Sequence, residues 1–141
     1  MITDYPDTPL LDNIEYNVVS NGAPNASVCG FIWGRDASTL SGPYDLLILS
    51  DLIFNHSQHT ALLSTCLSTL APGGKVVVFY SHHRPHLAHK DMEFFEKAKE
   101  AGWNCKKVVE ERVEPMFVDD PGEECVRATV WGWELTRSSS S

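Results

Sequence analysis

Apolar positions along this chain come in short blocks, and their spacing switches between the two-residue period of strands and the 3.6-residue period of helices. Met1-Ile2-Thr3-Asp4-Tyr5 has the character of a strand's last residues, because Pro6-Asp7-Thr8-Pro9 follows at once. Asp7 or Thr8 is placed to cap a helix whose first turn takes Pro9. Leu10, Leu11, Ile14 and Tyr16-Asn17-Val18 hold helical spacing until Asn21-Gly22. Residues 27–34 form a second short strand, followed by a polar loop to Pro43. The next block organises the chain. Residues 44–51 are entered through Gly42-Pro43, and Leu46 to Leu49 form an unbroken apolar run. Such a run predicts a strand buried on both faces, as in a parallel sheet. Ser50, Asp51, Asn55 and His56 then cluster polar groups at its carboxyl end, the edge where open α/β sheets bind ligands.

Residues 56–71 read as a helix on Ala61, Leu62, Leu63, Cys66, Leu67 and Leu70, with Ser57 as its cap and Pro72-Gly73-Gly74 as its stop. Residues 75–81, β-branched and aromatic, are the strongest strand signal in the chain. Strand, helix, turn and strand make a parallel crossover. After a loop, residues 91–101 give a third helix with Met92, Phe94, Phe95 and Ala98 inward and Gly102 as stop. Residues 105–117 begin as an alternating strand, 119–124 are a polar turn, and 126–135 return as an antiparallel strand. The expectation is α/β: a mostly parallel sheet ending in an antiparallel hairpin over residues 1–137, with 138–141 a disordered tail.

Composition narrows the function classes. With 141 residues, 43% apolar and 21% charged, the chain is one ordinary globular domain. A formal charge of −8 argues against nucleic acid and leaves room for basic partners. No apolar run approaches a membrane helix, and no basic-then-apolar leader opens the chain. Cys29, Cys66, Cys105 and Cys125 are widely spaced without a CxxC pair, which favours free thiols and a cytoplasmic protein. Six histidines invite a metal, but no carboxylate or cysteine stands at ligand spacing, so none is expected.

The antiparallel hairpin at the end, together with a Pro-Gly-Gly turn before the penultimate parallel strand, resembles the Rossmann-like S-adenosylmethionine-dependent methyltransferases. The strings TDYPD, IWG, LILSDLIFNHSQH and GWEL look more specifically like the fungal protein N-terminal and lysine methyltransferases of translation elongation factor 1A, over nearly all of residues 1–137. The resemblance implies S-adenosylmethionine as cofactor. It implies that Asp4 accepts the ribose hydroxyls, that Trp33 faces the adenine and that Ser50 lies beside the cofactor. Asp51 and Phe54 fall on that family's Asp-x-x-aromatic pattern, an acceptor for the target amine beside an aromatic wall, with His56 in the substrate pocket. The expected partner is a protein substrate, a translation elongation factor, bound by a monomer. Two other readings stand beside this one: a non-catalytic interaction module, and an N-methyltransferase of a small amine such as nicotinamide.

One family feature has no counterpart. The glycine-rich loop that lets backbone approach the cofactor is absent, and the strand before it belongs between the Asp4 strand and the Tyr44 strand. The expectation is therefore an incomplete, truncated methyltransferase sheet, impaired as an isolated chain, unless the Asp4 strand slides across to pair with the Tyr44 strand.

Overall fold

The structure, a computed structural model, describes residues 1–137; the tail expected at 138–141 lies outside the described residues. The chain runs β1 (Ile2–Asp4), α1 (Thr8–Ser20), β2 (Val28–Gly30), β3 (Tyr44–Ser50), α2 (His59–Thr69), β4 (Leu70–Tyr80), α3 (Ala88–Glu100), β5 (Trp103–Arg112), α4 (Glu124–Arg127) and β6 (Thr129–Arg137). Asp7 caps α1 as expected, its Oδ1 accepting from the Leu10 N–H at 3.3 Å, and Gly22 takes φ +61° beyond the stop. Ser57 does not cap the second helix. His56–Gln58 form a separate 3-10 turn, and the Ser57 hydroxyl lies against Asn55 Oδ1 at 3.3 Å. The Pro-Gly-Gly turn is absorbed into β4, whose pairing with β3 is irregular between Tyr44 and Leu46. There the strand backbones come so close that a Cβ on Gly74 would sit 2.9 Å from the Asp45 carbonyl. The hairpin's last strand starts later than expected, because residues 124–127 wind into α4.

Two sheets result. β1 and β2 pair in parallel, and a four-stranded sheet has the order β3-β4-β6-β5. β3 and β4 are parallel, while β6 runs antiparallel to both β4 and β5. The Asp4 strand has not slid across: β1 pairs with β2 and leaves β3 as an edge strand.

The core lies on one face of the larger sheet. Leu47, Leu49, Val76, Val78 and Leu135 point to this face, and α2 and α3 cover it with Leu62, Leu63, Phe94, Phe95 and Ala98. Phe95 stacks on Trp133 at 4.4 Å between ring centroids and meets Phe94 edge-on at 5.4 Å. The expectation that the Tyr44 strand is buried on both faces fails. Leu46 and Ile48 point to the opposite face and stay 46% and 63% exposed, because neither α2 nor α3 packs there. On that same face Gly132 lets Phe79 and Val109 close over it, where a Cβ would lie 2.7 Å from the Phe79 ring and 2.8 Å from Val109.

Candidate active site

A cleft of about 190 Å³ opens where β3 and β4 end. Ser50, Asp51, His83, Glu114, Met116 and Arg127 are among its lining residues. Asp51 turns the chain off the sheet with φ +55°, a left-handed conformation that aspartate tolerates better than most residues. Its N–H still reaches the Phe79 carbonyl at 2.7 Å, so the ladder extends one residue past β3 before the turn. The Asp51 carboxylate meets His83, with Nε2 and Oδ2 2.8 Å apart. Asp51 is more than a third exposed and His83 half-buried, so the pair sits at the mouth of the cleft. Phe117 closes edge-on against the His83 ring at 5.7 Å.

Behind the cleft wall lies a second carboxylate. Asp91, in the first turn of α3, is 5% exposed and bonded at both oxygens: His56 Nε2 to Oδ1 and His82 Nδ1 to Oδ2, each 2.7 Å. One buried acid therefore ties the loop after β3 to the loop after β4. His59 lies beside this group, its Nε2–H donating to the Ile53 carbonyl at 2.6 Å, and burial pushes its pKa down. Burial likewise pushes the Tyr80 phenol and the Cys66 thiol up to about 12, which leaves both neutral and inert.

The residues singled out from the sequence are divided by the fold. Ser50 and Asp51 line the cleft. Phe54 is half-exposed and lies outside its lining, and the Nε2 of His56 is bonded to Asp91 behind it. Asp4 ends β1 as expected, exposed, with Oδ1 accepting from the Tyr5 N–H at 2.7 Å. Trp33 stands three residues beyond the end of β2 and packs against the core, while the next N–H, from Gly34, donates to the Thr65 hydroxyl at 2.8 Å. Sequence reasoning missed His83, Arg127 and Asp91. His83 had a signal, its place just past the strongest parallel strand; Arg127 and Asp91 meet partners ten, nine and 35 positions away with no motif to mark them, and carry none.

The match to known proteins agrees with this geometry. A family model described as lysine methyltransferase matches residues 1–101. This chain belongs to the lysine methyltransferase family. Within it, the protein N-terminal and lysine N-methyltransferase of Schizosaccharomyces pombe is 42% identical over 146 residues, covering 95% of this chain and 57% of the relative. The enzyme of the same name from Cryptococcus neoformans is 43% identical, covering 97% of this chain and 55% of the relative. The chain thus spans little more than half the length of these curated relatives. Two solved methyltransferases share the fold. Precorrin-6y C5,15-methyltransferase from Geobacter metallireducens has a TM-score of 0.62 at 12% identity, over 96% of this chain and 65% of that one. An O-methyltransferase of neocarzinostatin biosynthesis, solved with S-adenosyl-L-homocysteine, has a TM-score of 0.64 at 15% identity, over 96% of this chain and 41% of that one.

S-adenosylmethionine is the cofactor of the family, and the residues present fit one side of it. Asp4 offers an exposed carboxylate with Oδ2 uncommitted, an acceptor of the kind ribose hydroxyls require. The side made by close backbone approach does not fit: none of the turns from a strand into α1, α2 or α3 holds a glycine.

Proposed function

We propose that this chain is the substrate-facing part of a protein N-methyltransferase acting on a lysine or N-terminal amine, with Asp51 and His83 as the pair that receives the amine. The observation that carries this reading is the Asp51–His83 contact of 2.8 Å at the mouth of the cleft, at the carboxyl edge of a methyltransferase sheet. An ammonium has no lone pair, so the target must shed a proton before it can be methylated. The Asp51 carboxylate accepts a hydrogen bond from the amine and fixes its direction, while His83 Nε2–H donates to Asp51 and holds the carboxylate in place. Partial burial in the cleft works against the charged amine and favours its loss of a proton. Asp4 would hold the ribose, Trp33 and Ser50 would border the cofactor, and S-adenosylmethionine supplies the electrophilic methyl group when bound. Phe54, half-exposed three residues beyond Asp51, would form the outer aromatic wall, and His56 acts through Asp91 as a positioning residue.

The open edge of β3 and the missing glycine turn support a further part of the proposal, that residues 1–137 are an incomplete methyltransferase domain. Full activity then requires a polypeptide that supplies a strand beside β3. The substrate is a translation elongation factor, the protein is cytoplasmic, and it works as a monomer.

Calorimetric titration of S-adenosylmethionine into the 141-residue chain, with a thermal melt of the same sample, is the test. A cooperative melt with weak or absent cofactor binding is the expected result. Tight, micromolar binding would overturn the incomplete-domain part. In a form that does methylate a lysine peptide, Asp51→Asn should lower kcat by about 10²-fold, as misplacement of a reacting group does; unchanged turnover would overturn the role of the pair.

A further inference from the structure

Between β5 and α4 the chain exposes three consecutive large apolar residues. Met116 is 71%, Phe117 52% and Val118 76% exposed. Such a run on a surface otherwise rich in charge marks a contact site more often than chance. The segment is nevertheless held firmly: the buried guanidinium of Arg127 donates to the Phe117 carbonyl, and the Val113 N–H donates to the Ala128 carbonyl at 2.7 Å. It also borders the cleft, since Val113 and Met116 line it. The Phe117 ring lies against His83, which holds Asp51, so a partner seated here is one side chain away from the amine-receiving pair.

Charge selects the partner. Seven of the 19 acidic residues fall between Glu110 and Glu124, all exposed, against Arg112 as the one basic residue in that stretch. Glu110 pairs with Lys107 at 2.6 Å and Glu124 with Arg112 at 4.0 Å; Glu111, Glu114, Asp119, Asp120 and Glu123 have no ion pair among the described residues. The unpaired acids therefore flank the apolar run on both sides. At the inner end, Arg127 is 6% exposed, and its Nε has no acceptor among the described residues. A main-chain carbonyl of a peptide lying in the cleft is the kind of group that would meet this need.

We propose that the segment from Glu110 to Glu124 is a docking surface for an extended, lysine-rich peptide carrying at least one large apolar side chain. The peptide's basic residues meet the flanking acids, and its apolar side chain covers Met116 to Val118. The inference rests on the substrate-facing reading above and names the substrate class, a basic tail rather than a folded surface or a free small amine. Complementary charge of this kind raises the rate of encounter and weakens with salt.

The test uses fluorescence anisotropy with the 141-residue chain and a labelled octapeptide, Gly-Lys-Leu-Lys-Gly-Lys-Phe-Lys, beside a twin with glutamate at every lysine. Saturable binding of the basic peptide alone, weaker at high salt, is expected. The triple variant Asp119→Asn, Asp120→Asn, Glu123→Gln should weaken it about tenfold, and Met116→Ser with Val118→Ser about fivefold. Neutralising three acids elsewhere (Asp12→Asn, Glu15→Gln, Glu100→Gln) should leave it within twofold. Absence of binding, equal binding of the acidic twin, or equal loss in the distant triple variant would each overturn the proposal. Saturable binding of the basic peptide keeps the docking surface even where Asp51→Asn leaves turnover unchanged, a result that counts only against the amine-receiving pair, so the two failures are separable.

Discussion

The two faces of the four-stranded sheet are made by the same strands, yet they have opposite fates. In β3, Leu47 and Leu49 pack under α2 and α3, while Leu46 and Ile48, equally apolar, lie open on the other side. Val76 and Val78 of β4 are fully buried on the covered face, and Lys75 is exposed on the other. Hydrophobicity alone does not bury a residue; a second layer has to lie against it. The covered face supplies stability. The open face, where it reaches the ends of β3 and β4, supplies the cleft.

Changes on the covered face should therefore have the greatest effect. Phe95→Ala removes a ring wedged between Phe94 and Trp133 and should cost about 3–5 kcal/mol, read from the urea midpoint. Asp91→Ala leaves His56 and His82 without their acceptor and should cost about 1.5–3 kcal/mol in the same measurement. On the open face Gly132 is the exception, because there the strands' own side chains close over it: Gly132→Ala drives a methyl into Phe79 and Val109 and should cost about 1–3 kcal/mol. At the other extreme, Ile48→Ala on the open face should change stability by no more than about 0.5 kcal/mol. A large loss there would mean that the open face is covered in solution, and the contrast between the faces would break.

Acid sharpens the same contrast. His59 is buried under the covered face, and its pKa is lowered chiefly by burial, assisted by the Lys97 and His56 charges and opposed by the Ile53 carbonyl and Asp91. A histidine kept neutral when folded takes up its proton on unfolding. Its contribution is complete above the ordinary histidine pKa of about 6.5 and is lost as pH falls below that. Melts between pH 8 and 5 should show a decline that is shallower in His59→Gln. At the cleft, Asp51→Gly relieves a left-handed φ of +55°, so it should leave stability unchanged or raise it by up to about 1 kcal/mol. The same change should abolish amine binding. A residue that strains the fold for its chemistry behaves that way; a turn residue does not.

Much of this was legible in the amino acids. The period of the apolar positions located every helix but α4, and the order of elements gave the parallel β3–β4 crossover and the antiparallel β5–β6 pair. Asp7 announced the first helix cap, and Ser50-Asp51 announced the cleft by placing polar groups at the end of an apolar strand. Local rules carry such features because caps, turns and periods are set within a few residues. No helix among the described residues is long and apolar enough to cross a membrane, as the hydropathy of the sequence indicates.

The rest needed the assembled molecule. An apolar strand looks the same whether one face or two are covered, so the open side of β3 was invisible until α2 and α3 were seen to share a face. The partners of histidines were equally hidden. His56 and Asp91 are 35 positions apart, and His83 and Asp51 are 32 apart; which imidazole finds which carboxylate depends on where two strand ends bring their loops. The order of amino acids was enough for every strand and all but one helix, and for the chemistry available. Tertiary structure decided which face is core, which acid is a buried tie and which acid faces the cleft, because burial and pairing belong to surfaces that only packing brings together.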